Sequence, residues 1–499
     1  MATHPTLPMR ADAGQDNSNE EGDPRMSAVR QWVSGILLAT ASVAVAPQVV
    51  AQHAVTATDG VSGDTSSLES RVDALDQQIR ILQRLRELAA DSAAAAAKDR
   101  QSATANAKDG FSIKSADGQY SLKLRGYAHA DGRFFVSDDA GAIPNNFFLR
   151  RARPILEVSV GRYFGFRIMP DFGQGQAVLV DAYWEGKFDP AFSVRAGKFK
   201  PPIGYERLQS ATDINFAERG LPTNLAPSRD IGLQVGGEVS TGVLEYQVGI
   251  FNGAPDLASP DGDLNDSKDL AARVFVQPVK RGALKGLGFG ISGSTGVEQG
   301  NTTATDLAGY RSASQQTFFR HRVDAVVPEN TVIAEGRRSR LSPHAYLGLG
   351  SFGLLGEYVL NRQEVRRGAT AATLSHRAWQ ASGSYFLTGE HAGFRSPTPK
   401  KPFDLKAGTF GAIELAARYG ELDIDDDAFP VFANPTSAAS KAKGLGLGVN
   451  WHLNKQIKVL VSYEHTTFDR GGPALSGANG AAGDRASEDF VVTRFQHSF

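Results

Sequence analysis

The 499 residues carry 53 lysines and arginines against 54 aspartates and glutamates, a formal net charge of −1, so composition offers no bulk electrostatic attraction to nucleic acid. There is no cysteine, which excludes a disulfide framework, a cysteine-ligated zinc site and a thiol nucleophile. Glycine is abundant, at 53 residues, and the length would accommodate two or three ordinary soluble domains.

In chain order, the first element is an address. Arg30 precedes an apolar run over residues 32–46, followed by Val49, Val50 and Ala51 before Gln52. A basic start, an apolar stretch of about 15 residues and a small residue at the cut form a secretory signal, too short to prefer spanning a membrane; an uncleaved anchor helix is the alternative. The polar residues before Met26 have no place in such a signal, so translation is expected to start at Met26. Next, Leu68, Val72, Leu75, Ile79 and Leu82 recur at spacings of four and three, a heptad seam about three repeats long. An Ala-rich linker over residues 89–110 separates it from the C-terminal part of the chain. The expected organisation is an extension and signal peptide over residues 1–51, a periplasmic coiled coil and linker over 52–110, and one large domain over 111–499.

From Tyr120 onward the period becomes two. Leu445, Leu447, Val449, Trp451 and Leu453 alternate with Gly446, Gly448, Asn450 and His452, and Ile457, Val459, Val461 and Tyr463 come after three intervening residues. Comparable pairs run through residues 231–239 and 244–250, and through 178–184 and 194–196. Strands of about 9 to 11 residues, short turns at one end and long loops at the other predict an all-β fold, a transmembrane antiparallel barrel of about 16 strands. Charges on a lipid-facing side would cost roughly 2 to 4 kcal/mol each near mid-membrane, so the polar face is assigned to a watery lumen. Parity then places Lys123, Arg125, Tyr127, His129, Asp131, Arg133, Arg151, Arg153, Glu157, Arg167, Asp171, Asp181, Tyr183, Glu185 and Arg195 inside. The mixture is not simply positive, and anion preference requires the arginines to gather on one wall. Trp184, Trp451, Tyr463 and Phe495 are assigned to interfacial belts. The last strand alternates up to the aromatic Phe499, which resembles the signal read by the outer-membrane assembly machinery.

One connection is too long and polar for a simple loop. Residues 197–222, GKFKPPIGYERLQSATDINFAERGLP, leave an upward strand at the loop end, where such a segment can fold inward and narrow a channel, its backbone hydrated or bonded to the wall. Arg207 and Arg219 would offer planar donor forks to an oxyanion and Lys200 a point charge. The alternative is an outward surface loop.

This stretch, its continuation through residues 227–234 and 249–253, Phe386-Leu387-Thr388-Gly389-Glu390, residues 414–420 and the end from Trp451 to Phe499 together resemble the phosphate-selective porin O and P family. The resemblance implies a homotrimer of sixteen-stranded outer-membrane barrels passing small anions, phosphate in particular, with the third loop as the constriction and arginines guiding the ion. Carried onto this chain, the constriction falls on residues 198–229, with Lys198, Lys200, Arg207, Arg219 and Arg229. The ladder falls on Arg125, Arg151, Arg153, Arg195 and Arg418. Arg229 shares parity with lipid-facing Ile231, so its inward placement requires the strand to begin after it. A second long segment, residues 387–408, falls at the turn end and either enters the barrel from the periplasm or stays an exposed basic turn. The implied partners are phosphate-like anions, outer-membrane lipid, the assembly machinery and further copies of the chain, with no cofactor.

Other readings stay open. A general, non-selective porin fits the same pattern, since Glu206, Asp213 and Glu218 stand among the cations of the loop. A barrel enzyme is a second class, although neither G-x-S-x-G nor H-E-x-x-H is present and both G-x-G-x-x-G matches, at residues 288–293 and 348–353, lie in β pattern and open no helix. An adhesion or tethering role rests on the heptad segment. Asp423, Asp425, Asp426 and Asp427 form an acidic cluster without EF-hand spacing, read as a solvated loop rather than a calcium site.

Overall fold

The computed structural model describes residues 65–98, 102–106, 110–136, 144–263, 265–474 and 482–499; the signal and start-site expectations lie outside them. The heptad stretch is one helix, α1 (Thr65–Lys98). It continues through much of the segment expected to be a linker, because alanine has the highest intrinsic helix propensity. Leu68, Val72, Leu75, Ile79 and Leu82 are all more than half exposed, so the seam has no partner among the described residues.

The rest is a closed antiparallel barrel of sixteen strands: β1 (Tyr120–Phe135), β2 (Asn146–Val160), β3 (Phe164–Asp171), β4 (Val178–Asp189), β5 (Phe192–Phe199), β6 (Asp230–Val239), β7 (Leu244–Phe251), β8 (Asp269–Val276), β9 (Gly288–Gln299), β10 (Ile333–Leu349), β11 (Phe352–Arg367), β12 (Thr370–Phe386), β13 (Ala412–Asp423), β14 (Ala439–His452), β15 (Ile457–Ala474) and β16 (Glu488–Ser498). Each pairs with the next, and β16 closes on β1 from Phe490 opposite Phe135 to Ser498 opposite Tyr127. Across that seam Arg494 forks onto Asp131 through two hydrogen bonds of 2.7 Å. A short strand, Gly110–Lys114, continues the β1 edge below it, so ordered pairing begins ahead of the first barrel strand.

Alternation segregates the faces as expected. Leu124, Leu233, Ile250, Leu270, Phe289, Leu354, Leu447 and Phe495 are exposed on the outside, as are Trp184 and Tyr463. Arg340, Ser342, Asn361, Gln380, Arg418, Asn450 and Glu464 are buried on the inside. Strand lengths depart from the uniform 9 to 11 residues expected. β3, β5, β7 and β8 have eight residues, whereas β10 and β12 have 17 and β15 has 18. At about 3.3 Å per residue on a tilt of about 45°, a 17-residue strand rises well beyond the apolar band of about 25 Å. The tall side carries an apolar cap. Tyr310, Phe318 and Phe319 from the β9–β10 connection and Phe432 and Ala433 from the β13–β14 connection pack on inward Val359, Val365, Leu374 and Leu422. The inner wall is therefore not uniformly polar.

The rule of short turns at one end also has exceptions. β11 and β12 are joined at the loop end by only two residues, Gly368 and Ala369, with Gly368 at φ +56°. At the turn end, the β12–β13 connection is long, covering residues 387–411.

Candidate functional site

The β5–β6 connection, residues 200–229, touches strands right around the ring. Glu357 of β11 accepts hydrogen bonds from the backbone N–H of Tyr205 and of Glu206. Gln380 of β12 donates to Glu206 at 2.9 Å, Arg418 of β13 to the Glu218 carbonyl at 2.9 Å and Asn450 of β14 to the Asn215 carbonyl at 3.0 Å. Lys458 of β15 reaches the carbonyls of Thr212 and Ile214 at 3.1 and 3.0 Å, and Gln496 of β16 that of Thr212 at 3.1 Å. These are side chains of the polar inner face. All but Gln380, which meets the Glu206 carboxylate, satisfy backbone groups that a buried irregular segment must otherwise leave orphaned. The β12–β13 connection meets the same segment: Ser396 donates to the Thr212 carbonyl and, through its N–H, to Asp213, both at 3.1 Å, and the Gln209 amide donates to the Phe394 carbonyl at 2.7 Å. The Phe394 and Tyr205 rings stack at 4.6 Å.

Beside this segment lies a cavity of about 1300 Å³. Its strand lining comes from β1 to β8 and the end of β16, and among the described residues nothing from β9 to β15 contributes. Arg311, Ser312 and Gln315 line it from the loop end, and Lys455, Gln456 and Phe499 from the turn end. Twelve arginines and two lysines face five carboxylates there. The wall over which the charges counted from parity are mixed thus becomes strongly cationic once the connections are added.

Many of these arginines are compensated. Arg153 pairs with Asp171 at 2.7 Å and with the Tyr127 hydroxyl at 2.8 Å. Arg195 pairs with Glu185 at 2.5 Å while lying over the Tyr183 ring at 4.6 Å. Arg125 and Arg167 share Glu157 at 3.5 and 2.5 Å. Arg151 contacts Glu218 at 3.3 Å. The strand does begin after Arg229, at Asp230, and the Arg229 guanidinium turns into the cavity onto Asp181 at 2.5 Å.

Three cations differ. Lys200 donates only to the carbonyls of Leu208 and Gln209, at 3.1 and 2.8 Å. Arg207 donates to the Thr223 carbonyl at 2.5 Å, with its Nε unpartnered. Arg219 donates to the carbonyls of Glu206 and Gln209, at 3.0 and 2.6 Å. None of the three forms a salt bridge among the described residues, and all line the cavity. They lie close enough, with Arg229, to repel one another.

Two expected residues sit elsewhere. Lys198 shares parity with outward Val194 and Ala196; its amine meets the Ser259 carbonyl at 2.8 Å and Asp261 at 2.5 Å in the β7–β8 connection, away from the cavity. Arg418 is held behind the loop, on Glu464 at 3.2 Å and over the Phe216 ring at 4.4 Å, and lines only a void of about 20 Å³. Parity missed Arg150. His129 pairs with Arg151 and Ala130 with Leu149, so Arg150 is the extra residue of a β-bulge, and its side chain turns inward. Arg273, Arg311 and Arg395 also line the cavity; the last two belong to connections that carry no alternation to read. In the acidic cluster, Asp423 pairs with Lys441 at 2.7 Å and Asp425 accepts from the N–H of Ser375 and of Asp427 at 2.7 and 3.0 Å.

A closed barrel with an apolar exterior and a water-accessible, charged interior is an outer-membrane porin channel. The profile of the phosphate-selective porin O and P family matches residues 122–499, and the chain belongs to that family. Porin O of Pseudomonas aeruginosa is 23% identical over 430 residues, covering 79% of this chain and 91% of that protein. Among solved structures, the outer-membrane channel DcaP of Acinetobacter baumannii superposes with a TM-score of 0.48 at 12% identity, over 77% of this chain and 99% of that one. An anion-selective porin from Comamonas acidovorans gives 0.47 at 14% identity, over 76% of this chain and 100% of that one.

Proposed function

We propose that the chain is an anion-conducting porin whose inward-folded third connection sets the constriction, passing small phosphate-like anions by diffusion as a homotrimer, with the N-terminal helix on the periplasmic side. The observation that carries this reading is the trio Lys200, Arg207 and Arg219, whose side chains donate to carbonyl oxygens and form no direct salt bridge among the described residues. An entering oxyanion finds donors already oriented and no ion pair to break, and several weak sites in succession allow release as well as binding. The arginines of β1 to β5 extend the cationic wall, and the family's phosphate-selective description agrees with it.

A second reading, a general porin of weak selectivity, is favoured by the pairing of Arg153, Arg195, Arg167 and Arg229 with carboxylates, which cancels much of their field. Planar-bilayer recording decides between them. In a potassium chloride gradient the reversal potential should report chloride preference, and added phosphate should reduce chloride current; a reversal potential near zero with no block supports the general porin.

A further inference from the structure

The β12–β13 connection carries a second feature, outside the lumen. Residues 403–410 close into a tight hairpin: Asp404 and Thr409 exchange backbone hydrogen bonds of 3.0 Å, the Asp404 carboxylate accepts from the N–H of Lys406 and of Ala407 at 2.8 and 3.1 Å, and the Thr409 hydroxyl donates to the Pro402 carbonyl at 2.5 Å. The hairpin is fastened to the barrel's outer surface. Trp451 shares its face with lipid-side Leu445, Leu447 and Val449; its indole N–H donates to the Phe410 carbonyl at 2.5 Å, and its ring meets Phe403 edge-on at 5.6 Å. On this fixed platform Leu405 is 81% and Phe410 69% exposed, and Lys401 and Lys406 are exposed beside them.

The apolar pair is continuous with the lipid-facing belt, at the height where an interfacial tryptophan belongs. The hydrogen-bonded turn cannot tuck it away. Asp404 is the one carboxylate of the hairpin and is engaged by its own backbone, so the face presented outward is cationic. We propose that residues 401–410 form a recognition surface for anionic phospholipid in the leaflet at the turn end. Leu405 and Phe410 enter the acyl boundary, and Lys401 and Lys406 meet the headgroup phosphate. The inference rests on the outer-membrane placement and not on anion conduction.

The test uses the full chain with Trp32, Trp184 and Trp379 replaced by phenylalanine, leaving Trp451 as the single tryptophan, reconstituted with brominated lipids. Brominated phosphatidylglycerol should quench Trp451 more than brominated phosphatidylcholine at equal mole fraction. Lys401→Gln with Lys406→Gln should abolish the preference, by about fivefold per lysine at low salt, and the preference should shrink as ionic strength rises. Channel conductance should be unchanged in that double variant. Equal quenching by the two lipids would overturn the proposal. So would protection from both lipids combined with loss of the oligomer in Leu405→Ser, which would make the hairpin a contact between copies.

Discussion

Arg150 and Glu218 form a forked ion pair of 2.6 and 3.0 Å, joining a bulged strand residue to the far end of the third connection. Glu218 also receives Arg151 at 3.3 Å and lies 3.5 Å from Arg494. One carboxylate therefore ties the segment to both β2 and β16. Removing one partner of a buried charge cluster costs about 3 to 5 kcal/mol. Glu218→Gln should loosen the segment, and trypsin should cut the folded porin after Arg207 or Arg219 several-fold faster. An unchanged cleavage rate would mean that the carbonyl contacts of Arg418, Asn450 and Lys458 suffice as anchors.

Lys200→Gln, Arg207→Gln and Arg219→Gln should each lower the chloride-to-potassium permeability ratio and raise the phosphate concentration needed for half-block several-fold. Lys443→Gln, on the outward face of β14 and paired with Asp469 at 3.2 Å, should do neither. Reversal potentials across the four variants check this; equal effects in all four would assign selectivity to net charge rather than to the trio.

The Tyr205–Phe394 stack couples a connection from one end of the barrel to a connection from the other. A stacked pair is worth about 0.5 to 1.5 kcal/mol beyond its buried area. Phe394→Ala should raise open-channel noise in single-channel records without reversing ion preference, and Phe394→Tyr should restore a quiet trace. Identical noise in the wild type and Phe394→Ala would show that the Ser396 and Gln209 hydrogen bonds hold the two segments alone.

The absence of cysteine makes α1 testable directly. If its exposed seam pairs with other copies in parallel register, Leu75→Cys should form an intersubunit disulfide on mild oxidation, because equivalent core positions approach within the reach of a disulfide. Non-reducing gels of the full chain should show a covalent dimer; a monomer band alone would leave the seam to another occupant.

Alternation made the barrel readable, because a period of two sorts greasy from wet side chains wherever one face meets lipid. The same parity located Arg125, Arg151, Arg153 and Arg195 on the cavity wall. It failed where one extra residue resets the count, at Arg150; at Lys198 the family resemblance, not parity, placed the residue in the constriction, and its outward parity agrees with its contact to Asp261. The path of residues 200–229 along β11 to β16 was not legible. It depends on pairings such as Glu206 with Gln380 and Asn215 with Asn450, between residues far apart in the chain, and no local pattern encodes them. The apolar cap escaped for a related reason: Val359 and Val365 share an inward face with Glu357 and Asn361, so their strand looks wet at one height and dry at another.

The cradle that holds Lys200, Arg207 and Arg219 is made of main-chain oxygens, which persist whatever side chain replaces the cation. On the proposed reading, the bore is outlined by backbone and the ion preference by three side chains, so the polarity of the passage can be altered by substitution without redrawing the main-chain path, a useful property in a chassis for engineered nanopores.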